Sequence, residues 1–149
     1  MENLRFAQAT QDDLELLVDL RLKAMRPSLE AIGRFNPDRA RQRFTDEYEP
    51  EHTRLILQNG KFVGCFALLP RDKHLYLGHF YLLPETQGRG IGKFVMGELL
   101  GVTKALKQPI KLIVLENSPA ISFYEQFGFE ISEQDGVDIT MEWSPTRSS

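Results

Sequence analysis

Only one cysteine, Cys65, occurs in the chain, so no internal disulfide can form. A reducing compartment, the cytoplasm, is therefore the expected setting. The place of Cys65 in an apolar run reads as that of a buried small residue, not of a nucleophile. No stretch approaches the 18 or so consecutive apolar residues needed to span a membrane, and Met1 to Arg5 lacks the pattern of a secretory leader, so no membrane partner is expected. Basic charge is not in excess either. Lys and Arg number 18 against 21 Asp and Glu, a net charge of -3, which gives no bias toward nucleic acid. The three histidines, His52, His74 and His79, lack the spacing of a ligand set, and no metal is expected. Repeats, low-complexity tracts and interdomain linkers are missing as well. With 149 residues, 42% of them hydrophobic and 26% charged, residues 1–149 read as one domain with a flexible polar tail at 144–149. A domain of this size buries about 68 to 70% of its unfolded surface without staples.

What is present centres on His74 to Lys107. An apolar strand from Leu75 to Leu83 stops at Pro84, and the chain turns through Gln87, Gly88, Arg89, Gly90, Ile91 and Gly92. It then enters a helix whose apolar positions include Ile91, Val95, Leu99, Val102 and Leu106. Glycines let backbone approach a ligand closely, and first-turn amides of a helix have no internal partner, so this turn suits an anion. A Walker loop is excluded, because Gln87 stands where its first glycine belongs and Phe94 replaces the metal-binding Ser or Thr. The dinucleotide fingerprint fails too. It needs a small residue where Lys93 stands and an acidic residue about 20 positions on.

The rest of the chain supplies alternating strands and helices. Leu4 to Ala7 reads as a short strand, and Thr10 to Asp13 as a cap for a helix carrying Leu14, Leu17, Val18, Leu22 and Met25. Pro27 is expected to end that helix or its first segment, leaving Arg26 to Asn36 as loop or broken helix. Arg21, on the helix's apolar face, either snorkels to the edge or points into a cleft where it binds a substrate carboxylate. Asn36-Pro37 opens a weakly amphipathic helix to Glu47, read as a mobile lid or a solvated surface helix. Arg54 to Gln58, Asn59-Gly60 and Lys61 to Leu69 form a hairpin with a type I′ turn. After the central helix, Ile110 to Leu115 is a buried strand, parallel to the one before through a right-handed crossover. A short helix from Ser118-Pro119 to Phe127 follows, then a hairpin of Phe129 to Glu133 and Val137 to Trp143 across Gln134, Asp135 and Gly136.

The spacing Gln-x-x-Gly-x-Gly at Gln87, Gly90 and Gly92 resembles the acyl-CoA loop of the GNAT superfamily of N-acetyltransferases. A second signature of that superfamily follows at Asn117, Ala120, Phe123, Tyr124, Gly128 and Phe129. The resemblance implies an α/β (α+β), three-layer α-β-α fold. Its mixed, mostly antiparallel sheet would have about six to seven strands, one splayed parallel pair and about four helices. It implies acetyl-CoA as co-substrate and a small-molecule or peptide amine as acceptor, with direct attack in a ternary complex. The chain would act as a monomer or homodimer.

The resemblance also implies roles for particular residues. Phe80, Tyr81 and Leu82 would line the pantetheine arm through their backbone, with the Leu82 amide polarising the thioester carbonyl. Gln87, Gly88, Arg89, Gly90, Ile91, Gly92 and Lys93 would hold the pyrophosphate, and Asn117 would contact the arm. Tyr124 would be the general acid; a phenol of pKa about 10 is matched to an alkyl thiolate. Tyr76 stands where some members carry a strand glutamate. His79 is then the chemically best base, although strand alternation opposes it to Tyr76 unless a bulge intervenes; a structural histidine, Glu116 and a water relay are the alternatives. Apart from the resemblance, Arg21, Arg26 and Arg34 would favour an acceptor bearing a carboxylate. A non-catalytic acyl-CoA sensor is the competing reading, motivated by the missing glutamate.

Overall fold

The computed structural model describes residues 3–145. The expected tail therefore lies mostly outside the described residues. Strands β1 (Leu4–Gln8), β2 (Thr53–Gln58), β3 (Lys61–Pro70), β4 (Leu75–Leu82), β5 (Ile110–Leu115), β6 (Glu130–Asp135) and β7 (Asp138–Trp143) hydrogen-bond in the order β1-β2-β3-β4-β5-β7-β6. Helices α1 (Leu14–Ala31), α2 (Pro37–Glu47), α3 (Ile91–Leu106) and α4 (Ala120–Glu125) complete the fold. The sheet is mixed, with β4 and β5 as its parallel pair. Their ladder joins only Leu75 to Ile110 and Tyr76 to Lys111, although both strands run on. The chain forms two compact units, Met1–Leu68 with His79–Gly92, and Leu69–Gly78 with Lys93–Ser149. It passes from one to the other within β4, between Gly78 and His79.

The first unit is built on β1, β2, most of β3 and the end of β4. Asn59 and Gly60 both take positive φ, 53° and 78°, as a type I′ turn demands. Val63 to Ala67 are buried without interruption, as in a strand covered on both faces. Leu17, Val18, Leu20, Phe44 and Cys65 form the core here. At the start of α1, Asp13 accepts from both the amide and the hydroxyl of Thr10.

One expectation is corrected in this unit. Pro27 does not end α1, which continues to Ala31. Its buried residues, Leu17, Val18, Leu20 and Arg21, all precede the proline and anchor the helix despite the lost bond from residue 27 to the Lys23 carbonyl, and an exposed Arg26–Glu30 ion pair at 3.1 Å bridges the turn that contains Pro27. Helix α2 has the burial of a solvated surface helix: Ala40 and Phe44 are its buried residues, the rest are exposed, and Asn36 caps it by accepting the amide of Arg39 at 3.1 Å.

In the second unit β5, β7 and β6 are successive antiparallel neighbours. The final hairpin turns at Gly136-Val137, two residues later than the sequence suggests, because β6 extends to Asp135. Along α3 the buried positions are Ile91, Val95, Met96, Leu99 and Thr103, and Val102 and Leu106 are exposed. The polar Thr103 is accommodated because its hydroxyl donates to the Leu99 carbonyl, 3.0 Å away. Among the described residues, no helix is long and apolar enough to cross a membrane.

Candidate active site

The glycine turn is exposed and shaped as the sequence requires. Pro84 to Thr86 make one 3-10 turn, fixed by the Thr86 hydroxyl and amide donating to the Leu83 carbonyl at 2.8 and 2.9 Å. Gly88 and Gly90 follow at φ 80° and 84°, values that side-chain-bearing residues rarely hold, and α3 begins at Ile91. The Gln87 side chain donates back to the carbonyl of Leu82 at 3.3 Å, tying the turn to the end of β4. Residues 87–90 are exposed, so their backbone is open to a ligand.

Just upstream, β4 is irregular. His79 has φ 50°, a left-handed conformation inside a strand that breaks the alternation of its side chains. Its ring lies against Phe44, centroid to centroid 4.5 Å, and is almost wholly buried. Arg21 Nη1 lies 3.2 Å from His79 Nδ1 and 3.1 Å from the Tyr81 hydroxyl. A guanidinium only donates, so Nδ1 is an acceptor and the neutral ring carries its proton on Nε2. That nitrogen faces Glu47 Oε1 at 3.4 Å. Burial, then the charges of Arg21 and Arg43, pull the His79 pKa down to about 3. The expected role of His79 as a free base is thereby corrected: both ring nitrogens are engaged, and protonation is strongly opposed.

Two neighbours complete this site. The Cys65 thiol donates to the His79 carbonyl at 3.1 Å, and burial pushes its pKa up to about 12, so it is an inert thiol as its sequence position suggests. A Cβ on Gly64 would run into the Tyr81 carbonyl and stand 2.8 Å from Leu82 Cδ2; only glycine lets β3 lie this close to that stretch of β4. Sequence reasoning missed Glu47, for which no local signal exists. It also missed Gly64, which an isolated glycine in an apolar strand did signal.

The remaining expected residues have distinct surroundings. Arg26 is exposed, paired with Glu30 and set over the Phe35 ring at 5.0 Å, whereas Arg21 is buried; the two are not equivalent. In the second unit Tyr124 is buried on α4 between Phe123 and Phe129, with centroids 5.3 and 5.5 Å away. Asn117 is exposed with φ 66° at the turn after β5. Glu116 accepts from the Gln134 amide at 3.2 Å, and Lys93 is exposed in the first turn of α3.

The sequence profile described as Acetyltransferase (GNAT) family matches residues 17–129, most of the chain. This chain belongs to the GNAT acetyltransferase family. Solved structures agree in fold. The PaiA N-acetyltransferase of Thermoplasma acidophilum, in complex with coenzyme A, superposes with a TM-score of 0.77 at 21% identity, over 95% of this chain and 98% of that one. The ribosomal-protein-S18-alanine N-acetyltransferase of Escherichia coli gives 0.72 at 18% identity, over 98% and 96%. An acetyltransferase of Thermus thermophilus gives 0.72 at 19%, over 95% and 97%. No curated protein sequence matches. Within the GNAT family, acetyl transfer is the class of chemistry to which this site belongs.

Proposed function

We propose that the protein is an N-acetyltransferase that moves an acetyl group from acetyl-CoA to a primary amine, of a small molecule or a protein, by direct attack in a ternary complex. The observation that carries this reading is the exposed turn with two positive-φ glycines leading straight into α3, within the family match. Amides of Gly88 to Gly92 would hold the pyrophosphate, and the α3 dipole favours its charge. Arg89 and Lys93 would add charge-assisted contacts. Backbone groups of Phe80, Tyr81 and Leu82 would align the thioester, with the Leu82 amide polarising its carbonyl.

Tyr124 is proposed as the acid that protonates the departing thiolate, and Asn117 as a contact to the pantetheine arm. His79 enters as a neutral hydrogen-bonding residue. No buried base is needed where a fraction of the amine is already neutral and a water relay carries its proton. The relatives' coenzyme A complex and amine-directed activity support this reading of cofactor and acceptor. A cytoplasmic setting accords with a single cysteine, Cys65, that is buried.

Calorimetric titration with acetyl-CoA, with ATP as control, tests the proposal. Saturable binding of acetyl-CoA alone, lost in a Gly90→Asp, Gly92→Asp double variant that still folds, is expected. Folded wild-type protein that binds no acetyl-CoA would overturn it.

A further inference from the structure

Among the described residues, Arg21 is a buried cation that forms no ion pair. It keeps only 7% of its surface, its Nε is enclosed without a partner, and its Nη1 is spent on two neutral acceptors, His79 Nδ1 and the Tyr81 hydroxyl. Removing a guanidinium from water is costly, and neutral partners offset little of that cost. The residue is therefore a poor stabiliser of the fold. Its place here calls for a different reason.

What Arg21 grips is the irregular part of β4. A histidine at φ 50° holds a conformation that costs backbone energy and persists only where its surroundings over-determine it. The His79 ring lies on Phe44, its carbonyl accepts from the Cys65 thiol, and its Nδ1 accepts from Arg21. Glu47, 3.4 Å from the opposite ring nitrogen, favours the proton there and leaves Nδ1 to accept. The contact to Arg21 differs from the others. The same nitrogen also bonds Tyr81, so the backbone from residue 79 to residue 81 is tied at both ends to one atom of α1. Leu82, the next residue, is held from its other side, where Gln87 of the glycine turn donates to its carbonyl at 3.3 Å. All of these residues belong to the first unit.

We infer that Arg21 is a positioning residue for acetyl transfer: by holding His79 and Tyr81 it sets the direction of the Leu82 amide that polarises the thioester carbonyl. The inference rests on the acetyltransferase reading and gives a role to a side chain that needs no contact with either substrate. It also separates two ends of the cofactor. The thioester end depends on Arg21, whereas the pyrophosphate end depends on the glycine turn, which Arg21 does not touch.

Acetyl-CoA labelled with carbon-13 at its carbonyl reports this directly, with no acceptor present. The carbonyl resonance should move downfield on binding to wild type, as a hydrogen bond from the Leu82 amide withdraws electron density. Arg21→Met should lose most of this shift. Arg21→Lys should recover part of it, because an ammonium has donors for both acceptors on a shorter stem. Tyr81→Phe, which removes one of the two bonds and no charge, should lose part of it. Calorimetric affinity for free coenzyme A should be the same in all four proteins. Thermal melting of Arg21→Met should stay at or above the wild-type midpoint, since replacing a buried charge by an apolar side chain of similar length commonly leaves folding intact.

A carbonyl resonance that does not move on binding to wild type, or that moves equally in Arg21→Met and Tyr81→Phe, would overturn the inference. So would a shift lost only together with coenzyme A affinity and thermal stability, the mark of a residue that merely supports the fold. Should Arg21→Met not fold, Arg21→Lys and Tyr81→Phe carry the same comparison. Folded wild type that binds no acetyl-CoA would overturn the acetyltransferase reading and the inference with it, an outcome distinct from binding with a carbonyl indifferent to Arg21.

Discussion

The backbone of Gly64 lies so close to the carbonyl of Tyr81 that a methyl group cannot stand between them. An alanine there meets the Tyr81 carbonyl, Leu82 Cδ2 at 2.8 Å and Leu82 Cα at 3.2 Å, two of them backbone contacts that cannot rotate away. Gly64→Ala should cost about 1–3 kcal/mol of stability, as overpacking does, and should weaken acetyl-CoA binding by displacing residues 81 and 82. Urea unfolding and calorimetry measure the two effects. Wild-type values for both would show that this approach is not tight.

His79 makes stability depend on pH in a definite direction. Its folded pKa, about 3, is below the ordinary 6.5 because of burial and then of Arg21 and Arg43. The unfolded chain therefore takes up a proton below pH 6.5 while the folded one stays neutral. The stabilising effect is complete above pH 6.5 and is lost progressively as pH falls toward 3. Between pH 7.5 and 5 this residue should account for a loss of about 2 kcal/mol. His79→Asn, which tolerates the positive φ, should flatten the unfolding free energy over that range. An unchanged slope would mean that the ring titrates normally.

Cys65 should be chemically silent in the folded protein, since burial raises its thiol to about 12 and its S–H is bonded to the His79 carbonyl. Iodoacetamide labelling at pH 8 should track global unfolding across a urea series. Rapid labelling without urea would refute this.

Tyr124→Phe separates acid catalysis from cofactor binding. If the phenol protonates the thiolate, kcat should fall by about 100-fold or more while acetyl-CoA affinity holds. A variant that keeps its kcat would leave Tyr124 as a packing residue between Phe123 and Phe129.

Legibility of the sequence followed the range of the interactions involved. The Asn59-Gly60 turn, the cap at Asn36 and the glycine turn before α3 are encoded within a few residues, and each is found where the local pattern puts it. Motif spacing carried the family and hence the fold. What escaped depends on residues far apart in the chain. Phe44 pins α2 by lying on His79, Glu47 meets the same ring, and Arg21 reaches across 58 positions to it. The positive φ of His79 was open as a bulge but not fixed by any local signal, because a histidine in an apolar strand has no intrinsic call for it. Val102 and Leu106 show a different limit. Helical periodicity placed them in the buried stripe, whereas Met96 and Thr103 occupy it.

The proline inside α1 divides that helix into unequal partners. Every buried residue lies before Pro27, and the turn after it continues from a ladder that lacks the rung between residues 23 and 27. Amide protons of residues 29–31 should consequently exchange with solvent through local fraying, at a rate indifferent to the stability of the protein. Those of Leu20 and Arg21, locked against the core, should exchange only when the unit around them opens as a whole.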